Sequence, residues 1–113
     1  MDKIETYKEM VNSFSALEVK GATMPYTSVN GNMFSFFSKD GQLSIRLSEK
    51  DRDKFIKQHK TGLSIQHGVI MKEYVVIPDS LFKKPTILEE CLKKSYDYAL
   101  TLKPKSTTRK KNK

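Results

Sequence analysis

Three observations predict an α+β fold. Apolar residues recur at three- and four-residue spacings near both ends of the chain, as a helix buried along one stripe requires. Between them, Asn30-Gly31 and Asp40-Gly41 interrupt short runs rich in β-branched and aromatic residues, the pattern of antiparallel hairpins. The resulting order is helix, three strands, helix, one or two strands, helix, which lacks the regular strand–helix alternation of a parallel sheet. With 113 residues the chain suffices for one compact domain and falls short of two.

The first helix is predicted over DKIETYKEMVNSFSALE. Ile4, Tyr7, Val11, Phe14 and Leu17 form its stripe, Asp2 is the candidate N-cap, and Gly21 breaks the chain after it. A three-stranded meander follows, at about 23–29, 32–39 and 42–47, with two-residue primed turns at both Gly-containing dipeptides. SEKDRDKFIKQHKTG reads as a short charged helix, capped by Ser48 with Asp51 completing a capping box and ended by Gly62. LSIQ reads as a short strand and MKEYVVIP as a longer one, ended by Pro78. On the latter, Met71, Glu73, Val75 and Ile77 share one face, and Tyr74 and Val76 the other. The last helix starts after Pro85, with Thr86 and Glu89 as a capping box. Leu88, Cys91, Leu92, Ala99 and Leu102 lie along one side of it, and it stops before Pro104.

Two-residue turns also dictate which residues face each other. They predict a core face of Val29, Phe34, Phe36, Leu43, Ile45 and Leu47, with Phe36 opposite Ile45 and Phe34 opposite Leu47. The opposite face then carries Met24, Tyr26, Met33 and Phe37 among Ser44 and Arg46. A solvated sheet face is normally more polar. Either a helix or loop covers this one, or Met24, Tyr26, Met33 and Phe37 form an interface with a protein partner or a second copy.

Charge is unevenly spread. The net charge is +8, from 21 basic and 13 acidic residues. The last eleven residues, KPKSTTRKKNK, hold six cations and no acid, so without them the net charge is +2. This segment has no apolar residue to offset the entropy of ordering it, and is read as a disordered basic tail over 103–113, behind a single domain over 1–102. Lys105, Arg109, Lys110, Lys111 and Lys113 are the candidate nucleic-acid contacts. No aromatic is interleaved with them, so the tail offers no base stacking.

The sequence contains little that points to catalysis. His59, His67 and Cys91 are its only histidines and cysteine, too few for a paired-ligand zinc site, and one cysteine excludes an intrachain disulfide. The five glycines are isolated and turn-like, so no phosphate-binding loop is present. Glu89 and Glu90 are helix-start charges, and Asp51 and Asp53 belong to a solvated helix face. No enzymatic activity, cofactor, metal or small-molecule substrate is expected. No stretch of 18 apolar residues occurs and MDKIETYKEM lacks a basic-then-apolar leader, so a cytoplasmic location without membrane association is expected.

Four segments together resemble the N-terminal domain of the TfoX (Sxy) family, a bacterial group linked to competence. They are TMPYTSVNGNM, SKDGQLSIRLS, MKEYVVIP and ILEECLKKSYDYALTLKPK, and the likeness covers most of residues 1–105. The chain departs from the family where Met24 is followed by Pro25 and Tyr26 rather than Phe-Gly-Gly. The resemblance implies a small α+β regulatory module without catalytic residues, acting through protein–protein contacts. The alternative is a nucleic-acid-associated protein working through the basic tail.

Overall fold

The computed structural model describes residues 3–14, 17–21 and 24–104. It is an α+β structure: a five-stranded antiparallel sheet with three helices. The elements are α1 (Lys3–Asn12), β1 (Tyr26–Val29), β2 (Asn32–Phe37), β3 (Leu43–Arg46), α2 (Glu49–His59), β4 (Leu63–Gln66), β5 (Val69–Val76), a 3₁₀ turn (Asp79–Lys83) and α3 (Pro85–Thr101). The strands lie in the order β1-β2-β3-β5-β4, leaving β1 and β4 as the edges.

The helices follow the apolar spacing. In α1, Tyr7, Met10 and Val11 are buried. It stops at Asn12, earlier than the stripe suggests, where Ser13 turns its hydroxyl back onto the Met10 carbonyl. Phe14 and Leu17 still pack against the core beyond the helix end. Asp2, the expected N-cap, lies outside the described residues.

Ser48 caps α2 as expected, its hydroxyl accepting from the Asp51 amide at 3.3 Å. The helix ends at Lys60, not Gly62: Lys60 takes the left-handed conformation (φ 52°) and donates its amide to the Ile56 carbonyl. The expected capping box of α3 is absent. Pro85 occupies its first turn, Lys84 is the cap without a side-chain bond, and Thr86 already lies inside the helix. Proline tolerates that position because its missing N–H would be unbonded there anyway.

The sheet corrects the predicted register in two places. The Asn30-Gly31 turn is a two-residue turn with both φ values positive (52° and 79°), joining Val29 to Asn32. Beyond it β2 has one extra residue: Ser28 pairs with Met33 and Thr27 with Ser35, so Phe34 is bulged. The second turn is a three-residue loop, 39–41. Ser38 and Gln42 close it through a 2.8 Å amide-to-carbonyl bond, and Gly41 takes φ 82°. The pairs are therefore Ser35–Ile45, Phe36–Ser44 and Phe37–Leu43.

One residue of slip exchanges the faces of a strand. Phe37 joins the core beside Tyr7, ring centroids 6.1 Å apart. Phe36 moves to the far face, where it packs on Tyr74 at 5.4 Å and is fully buried. Phe34 stays in the core because the bulge offsets the slip. Leu43, Ile45 and Leu47 are core residues as expected, joined by Val75, Ile77, Phe55, Leu88 and Leu92.

Two β2 carbonyls at the bulge are met by side chains from three elements. Ser95 of α3 donates to Phe34 O at 3.0 Å, while Tyr74 of β5 and Arg46 of β3 donate to Met33 O at 2.8 and 3.3 Å. In the core beneath, the Ser35 hydroxyl bonds both Tyr7 Oη, at 2.8 Å, and Thr27 Oγ1. Burial of Tyr7 pushes its phenol up to about 12, against the lowering effect of those hydroxyls, so it stays a neutral partner.

Candidate protein-contact surface

Tyr26, Ser28, Met33, Phe36, Ser44, Arg46 and Tyr74 occupy the sheet face turned away from the core, as their pairings require. Much of this face is closed by its own side chains. Arg46 Nε donates to Glu73 Oε1 at 2.6 Å, and Tyr98, reaching round from α3, donates to Glu73 Oε2 at 2.9 Å. The Arg46 guanidinium also stands 5.8 Å from the Tyr74 ring centre. Burial pushes the Glu73 carboxyl up, but the Arg46 and Tyr98 hydrogen bonds and the charges of Arg46 and Arg52 outweigh it and hold the group below its ordinary value.

Of the four residues expected to form an interface, the structure keeps three near the surface. Met24 is 38% exposed, and Tyr26 and Met33 are half-buried. Met33 lies diagonal to Tyr26 across the β1–β2 pair. Phe37 leaves the set because the three-residue loop turns it into the core.

Among the described residues, the main group of exposed large hydrophobics lies elsewhere, at the end of the β4–β5 hairpin. Ile65, Val69 and Ile70 are 59%, 64% and 56% exposed. His67 (φ 53°) and Gly68 (φ 76°) form a two-residue turn, with Gln66 opposite Val69 and Ile65 opposite Ile70. Successive strand residues point to opposite faces, so Ile65 and Ile70 share one face and Val69 lies on the other. Exposure on both faces means that the hairpin end stands clear of the body.

Its root is anchored. Lys72, Glu73 and Tyr74 have no partner on β4, since Leu63 pairs with Val75 and Ser64 with Met71. At this irregularity β4 swings over the far face, and Ser44 donates to Ser64 Oγ at 2.9 Å across the width of a strand. Sequence reasoning placed LSIQ as a strand but missed the hairpin. A left-handed histidine is less familiar in a turn than asparagine, although the two-residue gap ending in Gly68 was the available signal.

A third feature is a cleft of about 270 Å³ between α2 and α3. Leu47, Phe55, Ile87 and Cys91 are among its lining residues, with His59 and Lys94 also present. Cys91 and His59, remote in sequence, thus share one cavity. Burial pushes the Cys91 thiol up to about 12, Lys94 lowering and Asp51 raising it further, so the thiol stays protonated at neutral pH and is a poor nucleophile. The His59 ring packs on Phe55, centroids 4.5 Å apart.

Among the described residues, no three His, Cys, Asp or Glu side chains are grouped to hold a metal ion, and no helix is long and apolar enough to cross a membrane. The candidate nucleic-acid contacts Lys105, Arg109, Lys110, Lys111 and Lys113 lie outside the described residues. The chain approaches them beside the Asn30-Gly31 turn, where Asn32 Nδ2 donates to the Lys103 carbonyl at 3.1 Å. No family model matches the chain, and no curated protein matches it.

Proposed function

We propose that the protein is a non-enzymatic interaction module acting through protein–protein contacts, with the regulatory role that its likeness to the TfoX N-terminal domain implies. The observation that carries this is the hairpin end. Among the described residues, three of the five exposed large hydrophobics, Ile65, Val69 and Ile70, fall within six consecutive positions, while the other two, Met24 and Leu100, are separate in the chain. Scattered surface apolar residues need no explanation, whereas a cluster on both faces of a protruding hairpin marks a surface that another chain covers. Met24, Tyr26 and Met33 offer a smaller second contact on the far face.

The native mass of the full chain, with any co-purifying species identified, tests the proposal. A defined complex heavier than the 13.0 kDa chain is expected, lost in Val69→Lys with the circular dichroism spectrum retained. A protein that remains alone at 13.0 kDa in both forms, up to about 1 mM, overturns it.

A further inference from the structure

The outer edge of β4 has a geometry that specifies what can cover it. β4 ends the strand order, and its other side is taken by β5. In a hairpin with a two-residue turn, the residues flanking the turn form a hydrogen-bonded pair, and the pairs alternate from there. Gln66–Val69 is that first pair, so Ile65–Ile70 is the next, without ladder bonds between its members. The N–H and C=O of Ile65 therefore point away from β5, to the open edge.

Protein edges are usually blunted by lysine, proline or a covering element. Residues 61–71, TGLSIQHGVIM, contain no Asp, Glu, Lys, Arg or Pro, in a chain of which 30% is charged. Such an edge is complementary to itself. Antiparallel pairing about a two-fold axis sets each free N–H opposite a free C=O, and the same patch serves on both sides. Two copies that meet along this segment set no Lys, Arg, Asp or Glu of residues 61–71 against one another. An acidic partner would instead be drawn to the lysine-rich surfaces and gains nothing from an uncharged edge.

We infer that β4 pairs with β4 of a second copy, centred on Ile65, so that two five-stranded sheets join into one of ten strands; this rests on the hairpin end being a protein contact. Ile65 and Ile70 of both copies then form a row of four isoleucines across four adjacent strands on one face. A four-residue edge and a few side chains cover less than the roughly 800 Å² per partner of a standard interface, which places the dimer in the weak, concentration-dependent class.

Sedimentation equilibrium of the full chain from about 10 µM to about 1 mM spans that class. The mass is expected to rise from 13.0 kDa towards twice that value. Ile65→Lys should hold it at the monomer, and Leu100→Lys, on the exposed side of α3, should leave the rise unchanged. Hydrogen exchange of the wild type provides a readout free of any folding effect of substitution: the Ile65 amide should exchange fast when dilute and slow as concentration rises.

Monomer mass throughout, with Ile65 unprotected at every concentration, overturns the self-pairing. So does an assembly in which Ile65 is protected only by a different chain, an outcome that leaves the protein-contact function standing. Absence of any assembly, with the native chain or with a foreign one, sinks both.

Discussion

Ser35 is the residue on which the polar interior of the sheet turns. Its hydroxyl bonds both Tyr7 and Thr27, and all three residues are fully buried. Tyr7→Phe removes one hydrogen bond and leaves Ser35 and Thr27 bonded to each other, so it should cost about 1 kcal/mol. Ser35→Ala removes the hydrogen bonds to both neighbours at once and should cost about 2–3 kcal/mol, about twice or more the loss of one buried bond. Urea melts of the two variants check the order, and equal losses would refute the shared-partner account. At the surface, Glu73 ties β5 to β3 and α3. Its carboxyl is held below its ordinary value of 4.5 when folded. A carboxylate depressed in the native state contributes stability above its unfolded pKa, and the contribution is lost as pH falls through the folded value. Stability should therefore decline as pH drops below about 4.5, and Glu73→Gln should flatten that part of the profile measured by thermal melts. The effect is modest, because the Glu73 side chain is 36% exposed.

At the scale of the element, the two β-turns show how one residue redirects a face. Asp-Gly suits a two-residue turn and equally the end of a three-residue loop, and the sequence around Asp40-Gly41 is compatible with both. The three-residue form is the one adopted, with Gly41 at φ 82°. An alanine Cβ there would meet nothing nearer than the Lys3 ammonium at 4.0 Å, so the cost of Gly41→Ala is conformational, about 1–2 kcal/mol. Gly62→Ala, where φ is not positive and the space is open, should be neutral or slightly stabilising. Paired denaturation curves separate the two, and equal effects would remove the turn from the explanation of register. Phe36 and Phe37 were indistinguishable by type, being neighbouring phenylalanines, so only loop length could decide which faced the helices. The bulge at Phe34 carried no sequence signal. The carbonyls of Met33 and Phe34 there accept from Ser95, Tyr74 and Arg46, which come from other elements of the chain.

For the whole molecule, the uncharged stretch 61–71 and the cations of the last eleven residues are separate segments of the sequence. Six of the eight net positive charges belong to the last eleven residues. If that segment binds duplex DNA through all six cations, log affinity should fall against log salt with a slope of about −5, and truncation after Leu102 should abolish binding. A full-length chain that ignores duplex DNA at ~50 mM salt excludes the nucleic-acid alternative. Fluorescence anisotropy on a labelled duplex makes both measurements, and neither depends on the association of the hairpin end.

The element order, the antiparallel meander, the cap at Ser48 and the buried stripes of α1 and α3 were legible in the chain itself, because spacing and turn residues act over a few positions. Of the candidate interface, Met24, Tyr26 and Met33 were legible, while Phe37 was misplaced by one residue of register. The bulge, the burial of Phe36 beneath Tyr74, the meeting of Cys91 with His59 and the exposure of Ile65, Val69 and Ile70 were decided only by tertiary structure. Each depends on which distant side chain arrives to fill a space or satisfy a carbonyl, and in the case of the hairpin end, on nothing arriving among the described residues.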